Sequence, residues 1–194
     1  MPTDLADRAG RALSVAFHPM IAPWFLGAFV LYLADIELYQ ALKWLLIFGG
    51  IAIVPITLYI YFDPDYTLFE RNPRELRNRL YIIGIGEILF MGLLMFFLSP
   101  PHILFVSYVA CLLSVLAGGV INKFYTKISI HVGLVSAFAT AIAYLVYPAG
   151  VLALLMPIAV AWARLHEKKH DLFQVTLGFF VPAAIITVCY LFML

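Results

Sequence analysis

Two polar segments of this chain concentrate imidazole, ammonium, guanidinium and hydroxyl groups. They are Asn122-Lys123-Phe124-Tyr125-Thr126-Lys127-Ile128-Ser129-Ile130-His131 and Arg164-Leu165-His166-Glu167-Lys168-Lys169-His170-Asp171. Such a set suits phosphate chemistry. Cations hold phosphoryl oxygens, one neutral imidazole can attack phosphorus, and one protonated imidazole can give the leaving group its proton. His131 and His170 are the imidazoles this needs. Lys123, Lys127 and Arg164 are the cations. Ser129 and His170-Asp171 each open an apolar run, so the N–H groups and positive dipole ends of two helix starts would join the cradle. No metal or cofactor is called for if Lys and Arg neutralise the phosphoryl charge. The plainer reading is an interfacial belt of Lys and Arg that snorkels and binds anionic headgroups. The histidines weigh against it, because headgroup attraction needs no imidazole.

Other residues carry two readings each. Asp171 and Gln174 form a D-x-x-Q pattern that also fits a helix cap. His166 reads as an exposed loop histidine and His18 as an interfacial one. Asp63-Pro64-Asp65 could hold Mg²⁺, yet Asp-Pro is an ordinary turn opener. Glu87 lies roughly 10 Å inside an apolar segment at 1.5 Å per residue. There it is either a functional carboxylate or a protonated interhelical hydrogen-bond donor. Arg74, Arg77 and Asn78 share one face of a helix that would follow Pro73. That helix either closes the site over headgroups or carries self-paired Glu and Arg in solvent.

The elements that must position these groups follow from composition. Of the 194 residues, 64% are hydrophobic and 12% charged, and mean hydropathy is +1.01. A soluble domain is about 45–50% apolar and about 25% charged. Ordinary globular, disordered and nucleic-acid-binding classes are thereby excluded, and a net charge of +1 recruits no nucleic acid. The expectation is an all-α, polytopic membrane helical bundle forming a single domain over 1–194, its partner the bilayer itself. Seven apolar segments predict six to seven transmembrane helices: 16–34, 40–62, 80–99, 102–122, 129–147, 149–165 and 172–194. Cys111 and Cys189 lie in apolar runs and read as small hydrophobes.

With seven spans, the N-terminus and loops 63–79, 123–128 and 166–171 share one side. That side holds eleven of the twelve basic residues, Lys43 alone lying elsewhere. The positive-inside rule makes it cytoplasmic, in a multi-pass protein of the cell membrane.

At this point the chain resembles a family. Lys127-Ile128-Ser129-Ile130-His131, then Arg164, five residues and His170, then Gln174 to Gly178, resembles the type-2 phosphatidic acid phosphatase superfamily of lipid phosphate phosphatases. That family reads Lys-x6-Arg-Pro, Pro-Ser-Gly-His and Ser-Arg-x5-His-x3-Asp at the ends of bundled helices. The resemblance covers about residues 105–185. It implies His170 as nucleophile through a phosphohistidine, His131 as general acid, and Arg164, Ser129 and Lys123 or Lys127 as holders of phosphate oxygens. Ile128 and Ile130 stand for the family's Pro and Gly, Ala163 for its Ser, and Gln174 for the Asp that orients the nucleophile. Asp171 or Glu167 could stand in for that Asp. The implied substrate is a lipid or isoprenoid phosphate or diphosphate. Two other classes fit the sequence: a Mg²⁺-dependent intramembrane prenyltransferase using Asp63, Asp65 and Glu70, and a non-catalytic lipid-phosphate-binding, scaffold or transport protein.

Overall fold

A computed structural model describes residues 4–62 and 74–194. Asp63, Asp65 and Glu70 lie outside the described residues, as does the side chain of Arg74. All regular structure among the described residues is helical. The helices are α1 (Leu5–Ala16), α2 (Ala22–Leu33), α3 (Leu38–Ala52), α4 (Val54–Phe62), α5 (Arg74–Leu98), α6 (His102–Phe124), α7 (Ile130–Leu145), α8 (Leu155–His166) and α9 (Leu172–Met193). A 3₁₀ stretch, Ala149–Leu154, leads into α8.

Among the described residues five helical stretches are long and apolar enough to cross a membrane: Leu38–Phe62, Asn78–Leu98, His102–Phe124, Ala149–His166 and Leu172–Met193. The remaining apolar segments form the shorter α2 and α7, of 12 and 16 residues. At 1.5 Å per residue these reach about 18 and 24 Å, against a hydrocarbon core of about 30 Å. Large apolar side chains cover the outside, Phe96 and Phe192 being more than four-fifths exposed, as lipid-facing positions require.

Local chemistry sets the boundaries. Pro23 sits in the first turn of α2, where its missing N–H costs nothing. Pro101 caps α6. After α2 the N–H groups of Asp35 and Ile36 bond back to Tyr32 O and Leu31 O at 3.1 and 3.2 Å, with Asp35 at φ 54°. That is a Schellman closure.

Helix α7 is the hub, packing on α9, α8, α2 and the 3₁₀ stretch. Its inward residues include Val132, Val135, Ser136, Ala139, Thr140 and Ala141. Small side chains let α7 and α9 approach closely, as membrane helices do when no solvent drives them together. Ser136 Oγ donates to Phe179 O at 2.6 Å, in the turn of α9 loosened by Pro182. Farther along, Ser107 and Tyr190 hydroxyls pair at 2.7 Å and tie α6 to α9. A second core of Trp44, Met91, Met95 and Leu104 joins α3, α5 and α6.

Candidate functional site

One end of the bundle gathers the close of α1, α6 and α8 with the starts of α2, α5, α7 and α9. Four contacts define it: Ser14 to Glu167, His18 to His131, Asn78 to Asn122 and Ser129 to Gln174.

The Arg164–His170 segment is a tight reversal. After α8 the N–H groups of Lys168 and Lys169 bond to Leu165 O and Arg164 O at 3.0 and 3.1 Å. Lys168 takes the left-handed position at φ 53°, so this is a second Schellman closure, with lysine where glycine is usual. The His170 N–H also reaches Arg164 O, at 3.4 Å. Asp171 then caps α9, its Oδ1 accepting from the Gln174 N–H at 2.9 Å.

Gln174 does not complete a reciprocal capping box. Its side chain is 6% exposed and reaches back to His170, with Oε1 2.8 Å from Nδ1. An amide oxygen only accepts, so Nδ1 is the donor in this contact, and in the neutral ring Nε2 then keeps its lone pair. That is the tautomer a nucleophilic imidazole needs. Gln174 orients His170 without bringing a negative charge. The carboxylates that could have supplied one are engaged elsewhere: Asp171 on the α9 cap and Glu167 on Arg164 and Ser14.

Ser129 is fully buried at the N-cap of α7. Its N–H donates to Gln174 O at 3.3 Å, which fastens the start of α7 to the first turn of α9. Gly178 permits this approach, since a Cβ there would stand 2.8 Å from Ser129 O. Among the described residues Ser129 Oγ has no hydrogen-bond partner. A buried hydroxyl in that condition has a bond still to make.

Arg164 is 11% exposed and its Nη1 lies 3.0 Å from Glu167 Oε2. Ser14 of α1 completes the cluster, 2.9 Å from the same oxygen and 3.4 Å from Nη1. Lys127 is half-buried, whereas Lys123 is exposed with Nζ 5.3 Å from the Phe124 ring.

His131 faces His18, the ring centroids 5.1 Å apart and the planes at 85°. His166 points away from this group, 2.8 Å from Asp7 of α1 and stacked on Trp162. Glu87 is not brought to the site. It lies on α5 beside the Ile56 backbone of α4, and α5 packs on α6, α3 and α4. Among the described residues its Oε1 is buried without a partner.

The chain matches no family model, no curated protein and no solved structure.

The sequence does not announce α1 or, with it, Ser14, and it gives His18 only as an interfacial histidine. The available signal was Gly10 and Ser14, four residues apart on one helix face and both buried.

Proposed function

We propose that this protein is a membrane-embedded phosphatase for an amphiphilic phosphate, lipid or isoprenoid, working through a phosphohistidine. The tail stays in the bilayer while the phosphate enters the basic end. The observation that carries the reading is the arrangement around Gln174. Its backbone carbonyl binds Ser129, its side chain sets the His170 tautomer, and both lie where α7 and α9 begin. A phosphate between two helix starts meets N–H groups and two positive dipole ends.

In the first step His170 Nε2 bonds to phosphorus as the bond to the leaving oxygen breaks, and His131 protonates that oxygen. In the second, water attacks the phosphohistidine, His131 takes the proton from water, and Nε2 regains its electron pair as phosphate departs. Arg164, Lys127 and Ser129 hold the oxygens; Lys123 stands at the rim. The fold this calls for is a bundle of seven membrane helices, with α2 and α7 too short to cross fully and α7 sheltered by its neighbours. The basic bias orients the site to the cytoplasm in a cell membrane.

A second reading, a non-catalytic lipid-phosphate binder, draws support from Glu167 on the Arg164 guanidinium and from Gln174 in place of a carboxylate. Release of phosphate from a long-chain alkyl phosphate in micelles separates the two. Turnover insensitive to EDTA and abolished in His170→Ala supports the phosphatase. Full activity in His170→Ala overturns it, and turnover lost with EDTA transfers the chemistry to a metal.

A further inference from the structure

The turn between α1 and α2 brings the His18 imidazole up to His131. Building on the phosphatase reading above, we infer that His18 is a positioning residue for the general acid. It keeps the proton on His131 and holds that ring in register with the leaving oxygen.

His18 is fixed by its own backbone. Its N–H bonds to Val15 O at 3.1 Å, and its carbonyl accepts from both Ile21 and Ala22 at 2.8 Å. The side chain is fixed too: Nδ1 accepts from the Met20 N–H at 3.3 Å. A nitrogen that accepts carries no proton, so the ring is neutral with its proton on Nε2. Protonating His18 would cost that turn its hydrogen bond. Two imidazoles 5.1 Å apart do not readily carry two positive charges. The pair therefore carries at most one positive charge, and the Met20 N–H bond to His18 Nδ1 leaves that charge to His131.

The anchors on either side keep the pair together. Helix α1 is held to the end of α8 through Ser14–Glu167 and Asp7–His166. Helix α2 packs on α7 through Ala22, Leu26, Val132 and Val135. The charged and titratable groups that these elements bring to this end are Asp7, Arg8 and Arg11 from α1, Arg164 and His166 from α8, and Glu167, Lys168, Lys169, His170 and Asp171 between α8 and α9. Lys123 and Lys127 come from α6 and the lead into α7. Helix α2 brings none to this end, its one titratable side chain, Tyr32, lying in its last turn.

The test compares two substrates with the same alkyl chain, an alkyl phosphate and a nitrophenyl phosphate. A general acid matters for the poor alkoxide leaving group and little for the nitrophenolate. His18→Asn leaves an oxygen in reach of the Met20 N–H but removes the ring. The expected result is a loss of about 10- to 100-fold in kcat on the alkyl phosphate, with the nitrophenyl phosphate within about threefold. His18→Gln is read in the same way. A variant that merely folds less well loses equally on both substrates, so equal losses overturn the inference and leave the phosphatase reading standing. Absence of phosphate release from both substrates by the unmodified protein defeats the phosphatase reading, and the role of His18 with it.

Discussion

Replacing Gln174 by glutamate puts a carboxylate where an amide oxygen now lies 2.8 Å from His170 Nδ1, at a position 6% exposed. Glutamate is the isostere; aspartate is one methylene shorter and would not span the contact. A neutral hydrogen bond contributes about 1 kcal/mol and an ionised one about twice that. As His170 attacks, its ring gains positive charge, and the carboxylate stabilises that charge by about 1–1.5 kcal/mol more than the amide does. Since 1.4 kcal/mol is tenfold in rate, kcat should rise about tenfold. The sign at low pH is opposite. The carboxylate also stabilises the resting imidazolium, so the pH at which His170 loses its proton moves up. Only the neutral ring attacks, so the gain disappears below that pH. The assay is steady-state phosphate release in detergent micelles across a pH series. The reasoning predicts a higher plateau and an acid limb displaced upward. A folded Gln174→Glu protein with neither change would refute the idea that Gln174 acts on His170.

Gly178→Ala places a methyl group 2.8 Å from Ser129 O and 3.3 Å from its Cβ. It should cost about 1–3 kcal/mol of stability through overpacking, with activity falling more than the melting temperature implies; both are measured on the same detergent preparation. Lys168→Gly relieves a side chain held at φ 53° and should stabilise by about 1 kcal/mol, seen as a higher melting temperature with unchanged turnover. Glu167→Gln removes the charge paired with Arg164 at 3.0 Å. Inorganic phosphate should then inhibit several-fold more tightly, and a weaker inhibitor constant would count against Arg164 as a phosphate ligand.

The apolar segments were legible as helices because lipid-facing helices are apolar all round. Their edges were less so. The segment opening at 16 becomes helix α2 only at Ala22, after the His18–Met20 turn. The run 40–62 breaks between Ala52 and Val54, next to Pro55. Helix α1 escaped notice for a physical reason. Amphipathic periodicity looks for buried large side chains, yet α1 buries Gly10 and Ser14 and leaves Leu5 80% exposed. Its docking rests on a narrow stripe of mostly small residues, Ala6, Ala9, Gly10, Leu13 and Ser14, and on the Ser14 hydroxyl. The D-x-x-Q pattern was read as either a cap or an orienting group. The two residues divide these tasks, Asp171 capping α9 and Gln174 turning to His170. The Arg164–Glu167 contact has i,i+3 spacing, but spacing does not show that Ser14, 150 residues away, completes it.

The bond from the Ser129 N–H to Gln174 O joins main-chain atoms. Exchanging one side chain for another leaves both of its atoms in place, so neighbouring positions can drift while the two segments stay in register. Ile128 and Ile130 can stand on either side of Ser129 without loosening it. What sequence change can reach is the clearance that the bond requires, and that clearance rests on a missing methyl group at Gly178. The alignment of the two segments is thus inherited through an absence, and a search for shared reactive side chains would pass over the residue that preserves it.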